Sequence, residues 1–221
     1  SGNCELADNA CCTPESIAQA RQVASKLGIP FYVIDAQNDF KHLVVDTFIR
    51  GYESGLTPNP CFACNLTIKW GVLLEKVRQS GAEFLATGHY ARIILDEKGI
   101  AHLKKSADSS KDQSYVLAGL NQTQLRKTLL PLGDIEKTEV RRLAASYGFE
   151  SANRPDSQDL CFIGNQGYRT FLDTYGSVKN ISGPIIDTSG NIVGTHTGLQ
   201  DYTIGQRKGL ISGAKSPLYV L

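Results

Sequence analysis

Apolar residues recur at Ile17, Ala20, Val23, Ala24 and Leu27, three or four apart, across a stretch that is otherwise polar. That spacing predicts an amphipathic helix over 14–27, with Thr13 as its N-cap, Pro14 in its first turn and Gly28 as its stop. The run IPFYVIDA that follows is continuously apolar, β-branched and aromatic, which predicts a buried strand. DFKHLVVDTFIRGYESG returns to helical spacing, and so does NPCFACNLTIKWGVLLEKVRQSG. EFLATGHYARI reads as a second strand ending at Gly88. AHLKK, a polar loop, a short apolar strand over 128–132 and an amphipathic helix over 138–147 complete this half.

Helix and strand alternate with short glycine-marked joints, which predicts an α/β fold with a largely parallel sheet. Ligands of such sheets bind at the carboxyl ends of strands, and ATGHYAR has the form of such an end. After about residue 150 the texture changes. Glycines become frequent, and GPIIDTSGNIVGTHTGLQDYTIGQRKGL reads as hairpins, with TSGN as a turn between apolar runs. A domain boundary is expected near 150, dividing 1–150 from 151–221.

Composition narrows the class. Of 221 residues, 41% are hydrophobic and 20% charged, as in an ordinary globular protein. No apolar run approaches the roughly 20 residues that span a bilayer, so no membrane partner is expected. The net charge of +1 does not announce a nucleic-acid binder, although Lys104, Lys105 and Lys111, Arg126 and Lys127, Arg141 and Arg142, and Arg207 and Lys208 form local basic groups. Six cysteines, Cys4, Cys11, Cys12, Cys61, Cys64 and Cys161, allow disulfide bonds. The chain is long and cysteine-poor for a disulfide scaffold, so unpaired thiols with chemistry or metal to attend to fit better, in a cytoplasmic setting.

The first two of those thiols in the chain's interior sit together. Asn59 can cap a helix whose first residue is Pro60, and Cys61 and Cys64 then share a face. Unpaired N–H groups and the positive end of the helix dipole are expected to favour thiolate and lower the thiol pKa. Such thiols serve as nucleophiles, as metal ligands, or as an inert pair, and a lone C-x-x-C does not choose among them. A thioredoxin-like reading wants a strand, not TPNP, before the motif, and leaves Cys161 unused.

TPNPCFACN, IKWG, ATGHYAR, KDQSYVL, PLG, EVRRLA, DSQDLCFIG and GTHTGLQDYTIGQRKGL occur in this order. Together the set resembles the tRNA-specific 2-thiouridylases of the MnmA/TrmU type. Argininosuccinate and GMP synthetases share that family's PP-loop nucleotide fold but not these thiols. The resemblance implies a Rossmann-like PP-loop ATPase domain of the adenine nucleotide α-hydrolase kind, followed by a small, mainly β middle domain. It implies a sulfurtransferase that uses ATP with Mg to adenylate the C2 oxygen of a wobble uridine, after which a cysteine persulfide delivers sulfur. Its partners would be tRNA and a sulfur-donor protein or sulfide. Cys64 then matches the nucleophile and Cys161 the persulfide carrier, with Asp156 and Ser157 in the carrier's loop. Gly88 matches a nucleotide-site residue. Asn59, Pro60 and Cys61, His89, Lys111, Asp112 and Gln113, and Arg207 match tRNA contacts, with Tyr202 and Gln206 near the last.

The sequence departs from the family pattern in three places. No Ser-Gly-Gly-x-Asp-Ser-like phosphate loop occurs in it, so weak ATP binding is expected of these residues alone. The family's C-terminal β-barrel would follow PLYVL. Many members carry an acidic residue at the position of Cys61. A third thiol there raises an alternative in which Cys61, Cys64 and Cys161 ligate a 4Fe-4S cluster with one open iron. A non-catalytic thiol or metal RNA-binding module is the remaining alternative.

Overall fold

A computed structural model describes residues 13–149, 152, 160–164, 167–176, 181–211 and 217–221. Cys4, Cys11, Cys12, Asp156 and Ser157 lie outside the described residues. In chain order the helices are α1 (Pro14–Lys26), α2 (Gln37–Phe40), α3 (Asp46–Glu53), α4 (Pro60–Cys64), α5 (Leu74–Gln79), α6 (Gln122–Arg126), α7 (Lys137–Ser146) and α8 (Gly167–Tyr175). π-helical segments cover Lys41–Val45 and Asn65–Leu73. The strands are β1 (Leu85–Ala86), β2 (Ala91–Leu95), β3 (Ala101–Lys105), β4 (Thr128–Leu129), β5 (Gly183–Ile186) and β6 (Ile192–His196).

The chain packs as two units. One takes in the described residues up to Val44 and those from Pro60 to Leu160. The other takes in Val45–Asn59 and the residues from Cys161 onward.

In the first unit, local chemistry makes α1 as expected. The Thr13 hydroxyl accepts from the Ser16 N–H at 3.2 Å, and Gly28 leaves the helix at φ +65°. The parallel pairing is confined among the described residues to β1 and β4, with Leu85 opposite Thr128 and Ala86 opposite Leu129. The strand expected over IPFYVIDA is not formed. Residues 29–36 belong to no element, and Ile29, Tyr32 and Val33 are exposed. An apolar run supplies side chains for a sheet but not the neighbouring backbone that makes a strand.

β2 and β3 form an antiparallel hairpin in which Ile93 faces Leu103 and Leu95 faces Ala101. Its inner face, with Ala91 and Ala101 fully buried, closes on Trp70, Leu74, Leu85, Val116, Leu117, Leu120 and Leu125. A hydrogen-bonded ring locks this core. The Trp70 indole N–H donates to the Thr128 hydroxyl at 2.5 Å, which donates to the Gln124 carbonyl at 2.7 Å. The Gln124 side-chain amide donates to the Trp70 carbonyl at 3.0 Å. The buried Trp70 N–H and Thr128 hydroxyl are thereby satisfied within it.

In the second unit, aromatic rings make the core. Phe48 of α3 meets Phe162 and Phe171 edge-on, with centroids 5.3 and 6.3 Å away, and Tyr52 stacks on Tyr168 at 5.3 Å. β5 and β6 pair antiparallel. Their turn is built as the sequence suggests: the Asp187 carboxylate accepts from the Ser189 and Asn191 N–H groups, and Gly190 adopts φ +85°.

Candidate functional site

The helix of Cys61 and Cys64 begins at a buried Pro60 and runs as α for five residues before widening to π geometry over Asn65–Leu73. In π geometry each N–H reaches five residues back, which sets Lys69 one turn on from Cys64. Asn65 is buried, and its side-chain amide donates to the Val116 carbonyl at 3.3 Å, tying the segment to the core. Cys61 is exposed, Cys64 is half-buried, and neither is in a disulfide.

The expected lowering of the thiol pKa does not hold at Cys61. Burial pushes its thiol up, and the nearby Lys69 ammonium draws it back only in part. Desolvation outweighs the helix terminus here.

Lys69 is the residue that sequence reasoning passed over. Its Nζ lies 3.3 Å from His89 Nε2, and the Thr87 hydroxyl lies 2.8 Å from His89 Nδ1. The ring stands over Trp70, with centroids 5.5 Å apart. An ammonium only donates, so Nε2 accepts and the proton sits on Nδ1, which donates to Thr87. Burial first, and then the Lys69 charge, lower the His89 pKa to about 4, so the imidazole is neutral at pH 7. A signal was legible: Lys69 is the one charged residue in the run NLTIKWGVLL.

Gly88 is exposed beside this histidine, just beyond the carboxyl end of β1. A side chain there would meet Leu132 at 3.6 Å, and its absence leaves the backbone open to close approach by a ligand.

The loop carrying Lys111, Asp112 and Gln113 is fixed from within. The Asp112 carboxylate accepts from the Ser106 N–H at 2.9 Å and the Ser114 hydroxyl at 2.8 Å. Burial raises its pKa, but these hydrogen bonds outweigh it and hold the carboxyl below its ordinary value. Asp108 accepts from the Ser110 N–H and from the Lys137 N–H at the start of α7. Gln113 binds Tyr90 by both its backbone and its side chain. Lys111 is half-buried, and the Lys137 ammonium lies 5.3 Å from the centre of the Tyr90 ring. The structure thus brings Lys69, His89, Tyr90, Gln113 and Lys137 to one part of the first unit.

The remaining candidates belong to the second unit or its border. Cys161 is half-buried and not in a disulfide, just before the buried Phe162 and Ile163. Arg207 and Asn59 are exposed. Gln206 accepts from the Thr203 N–H at 3.0 Å and donates to the Lys208 carbonyl at 2.9 Å, which shapes the turn that presents Arg207.

Among the described residues, no group of three His, Cys, Asp or Glu side chains could hold a metal ion. The 4Fe-4S alternative on Cys61, Cys64 and Cys161 is therefore not supported. The disulfide that an even cysteine count allows is likewise not formed by these three residues.

Residues 2–165 match the family profile described as "tRNA methyl transferase HUP domain", and residues 169–221 match the "tRNA methyl transferase PRC-barrel domain". The chain belongs to that family. Its fold is accordingly the α/β HUP type, PP-loop ATPase-like, with a second small domain. Among similar proteins is the tRNA-specific 2-thiouridylase MnmA of Lachnoclostridium phytofermentans, 47% identical over 211 residues, which are 96% of this chain and 59% of the relative. The protein of the same name from Symbiobacterium thermophilum is 48% identical over 96% of the chain and 55% of its own length. That of Clostridioides difficile is 46% identical over 97% and 60%. The chain therefore spans somewhat more than half the length of these curated relatives. Among the described residues, no helix is long and apolar enough to cross a membrane.

Proposed function

We propose that this chain is the thiol-bearing part of a tRNA 2-thiouridine synthase that acts in the cytoplasm. The observation that carries this reading is the pair of half-buried cysteines, Cys64 and Cys161, neither in a disulfide, in a chain 96% of which aligns with part of proteins named 2-thiouridylases.

The exposed backbone at Gly88 would adjoin ATP, which, bound with Mg, would supply the adenylyl group that makes the C2 oxygen of the uridine a leaving group. Cys161 carries the transferable sulfur as a persulfide, formed when its thiolate takes sulfane sulfur from a persulfidated donor protein, which leaves as a thiol. Its terminal sulfur bonds to C2, and the C2–O bond breaks with release of AMP. The Cys64 thiolate then attacks the Cys161 sulfur. The persulfide S–S bond breaks, sulfur stays on C2, and Cys64 and Cys161 are left as a disulfide. A thiol reductant supplies the two electrons that restore both thiols. This is nucleophilic catalysis on an activated electrophile.

Lys111 and Arg207 are proposed as tRNA contacts, with Asn59, Pro60 and Cys61 beside the target base. Asp112 and Gln113 act on tRNA through the loop they hold, and His89 through Lys69.

The reading is tested in the complete protein with unmodified tRNA, ATP and a persulfide donor, by mass spectrometry of 2-thiouridine. Cys64→Ser and Cys161→Ser are each expected to abolish product while leaving the fold intact. Product formed by either variant removes that cysteine from the mechanism, and no product from the unaltered protein overturns the reading.

A further inference from the structure

Both nitrogens of the His89 ring are occupied inside the protein, Nδ1 with Thr87 and Nε2 with Lys69. The ring is only 9% exposed. As it stands, His89 has no N–H left to offer an anion. Lys69 does: an ammonium has three N–H groups, and one is engaged by Nε2. Lys69 is half-buried, and among the described residues no carboxylate pairs with it. Two groups beside it are the exposed Cys61 and the neutral His89 imidazole, neither of them an anion. A partly desolvated cation without a counter-charge is unfavourable until an anion arrives. The open backbone of Gly88 adjoins His89 in the chain and leaves room for a ligand to approach.

We propose that Lys69 binds a phosphate oxygen of the substrate complex, and that His89 is the positioning residue that aims its ammonium. The inference rests on the RNA-thiolation reading and adds a contact residue to it. The ligand chemistry is a phosphate ester, either in the RNA backbone or in the adenylyl group. A lysine suits this as a compact charge on a flexible stem, and a neutral imidazole acceptor fixes one of its donors without adding repulsion. The lowered His89 pKa agrees, because a protonated ring would repel Lys69 and lose the acceptor at Nε2.

The test uses the complete protein with an anticodon stem-loop RNA bearing the wobble uridine, and separately with AMP. Lys69→Gln keeps an N–H for Nε2 and removes the charge; Lys69→Arg keeps the charge. If the phosphate is in the backbone, Lys69→Gln weakens RNA binding about 5–10-fold and reduces the salt slope of log K by about 0.7, the value for one single-strand phosphate, while Lys69→Arg retains the slope. If the phosphate is adenylyl, Lys69→Gln weakens AMP binding and leaves the RNA slope alone. Removing the acceptor with His89→Phe weakens the same ligand as Lys69→Gln. In the unaltered protein, nitrogen NMR shows His89 protonated on Nδ1, and the Lys69 Nζ resonance moves on adding the ligand. That measurement decides the matter if a variant fails to fold. Unchanged RNA slope and AMP affinity in Lys69→Gln, or a still Nζ resonance in a saturated complex, overturns the proposal alone. An unaltered protein that binds neither probe overturns the thiolation reading and this contact with it.

Discussion

Gln113 and Tyr90 hold each other by two hydrogen bonds: the Gln113 N–H donates to the Tyr90 carbonyl at 2.8 Å, and the Tyr90 N–H donates to the Gln113 side-chain oxygen at 3.0 Å. The KDQ loop is therefore clamped to the chain directly after His89. Gln113→Ala removes one of these bonds and the acceptor of a buried N–H. A loss of about 1–3 kcal/mol in stability is expected. Hydrogen exchange at Tyr90 should accelerate, and RNA affinity should fall with it because Lys111 is no longer held. If exchange and affinity both match the unaltered protein, Gln113 is not a positioning residue.

The Trp70–Thr128–Gln124 ring makes a separate prediction about the core. Thr128→Val keeps the shape but leaves the indole N–H without its acceptor in a site where Trp70 is 2% and Thr128 5% exposed. About 1–3 kcal/mol is expected to be lost. Thr128→Ser keeps the hydroxyl and is expected to lose less. Because the chain has one tryptophan, its fluorescence reports the site directly during urea unfolding.

Elements governed by neighbours in sequence were legible before the structure. Thr13, Pro14 and Gly28 delimit α1 by capping and backbone chemistry that a reader can apply residue by residue. The Asp187–Asn191 turn is legible for the same reason. What failed was decided at a distance. IPFYVIDA has the composition of a strand, yet strand formation requires a hydrogen-bonding neighbour, and composition does not say whether one is in reach. The thiol shift at Cys61 went the wrong way because desolvation depends on packing, while the helix dipole can be inferred from order alone. Lys69 was passed over because its partner, His89, is 20 residues away.

The pH dependence of stability tests the state of His89. Its folded pKa, about 4, lies below the ordinary 6.5. Between these values the unfolded chain takes up a proton that the folded chain refuses. Stability from this source is thus complete above about pH 6.5 and is lost as pH falls toward 4. The shift of roughly 2.5 units corresponds to about 3 kcal/mol at most. Urea midpoints of the unaltered protein and of His89→Gln, compared at about pH 7, 5.5 and 4.5, should converge as pH falls. A difference that stays constant over this range would show that His89 titrates normally in the fold.

Cys61 is exposed yet harder to ionise than a free cysteine, and this separates access from reactivity. With the other five cysteines replaced by serine, iodoacetamide should alkylate Cys61 several-fold more slowly than glutathione near pH 7.5, since only the thiolate reacts. At a pH above both thiol pKa values the two rates should approach each other, because the residue is open to solvent. A gap that persists there would mean that access, not protonation, sets the rate. Lys69→Gln removes the charge that partly offsets desolvation, so the alkylation profile should move further toward alkaline pH; a profile that does not move would separate Lys69 from this thiol. The expected outcome also bears on sulfur transfer. A thiol kept protonated beside the target is a poor competitor for the persulfide, so Cys61→Ser should preserve 2-thiouridine formation under conditions where Cys64→Ser abolishes it.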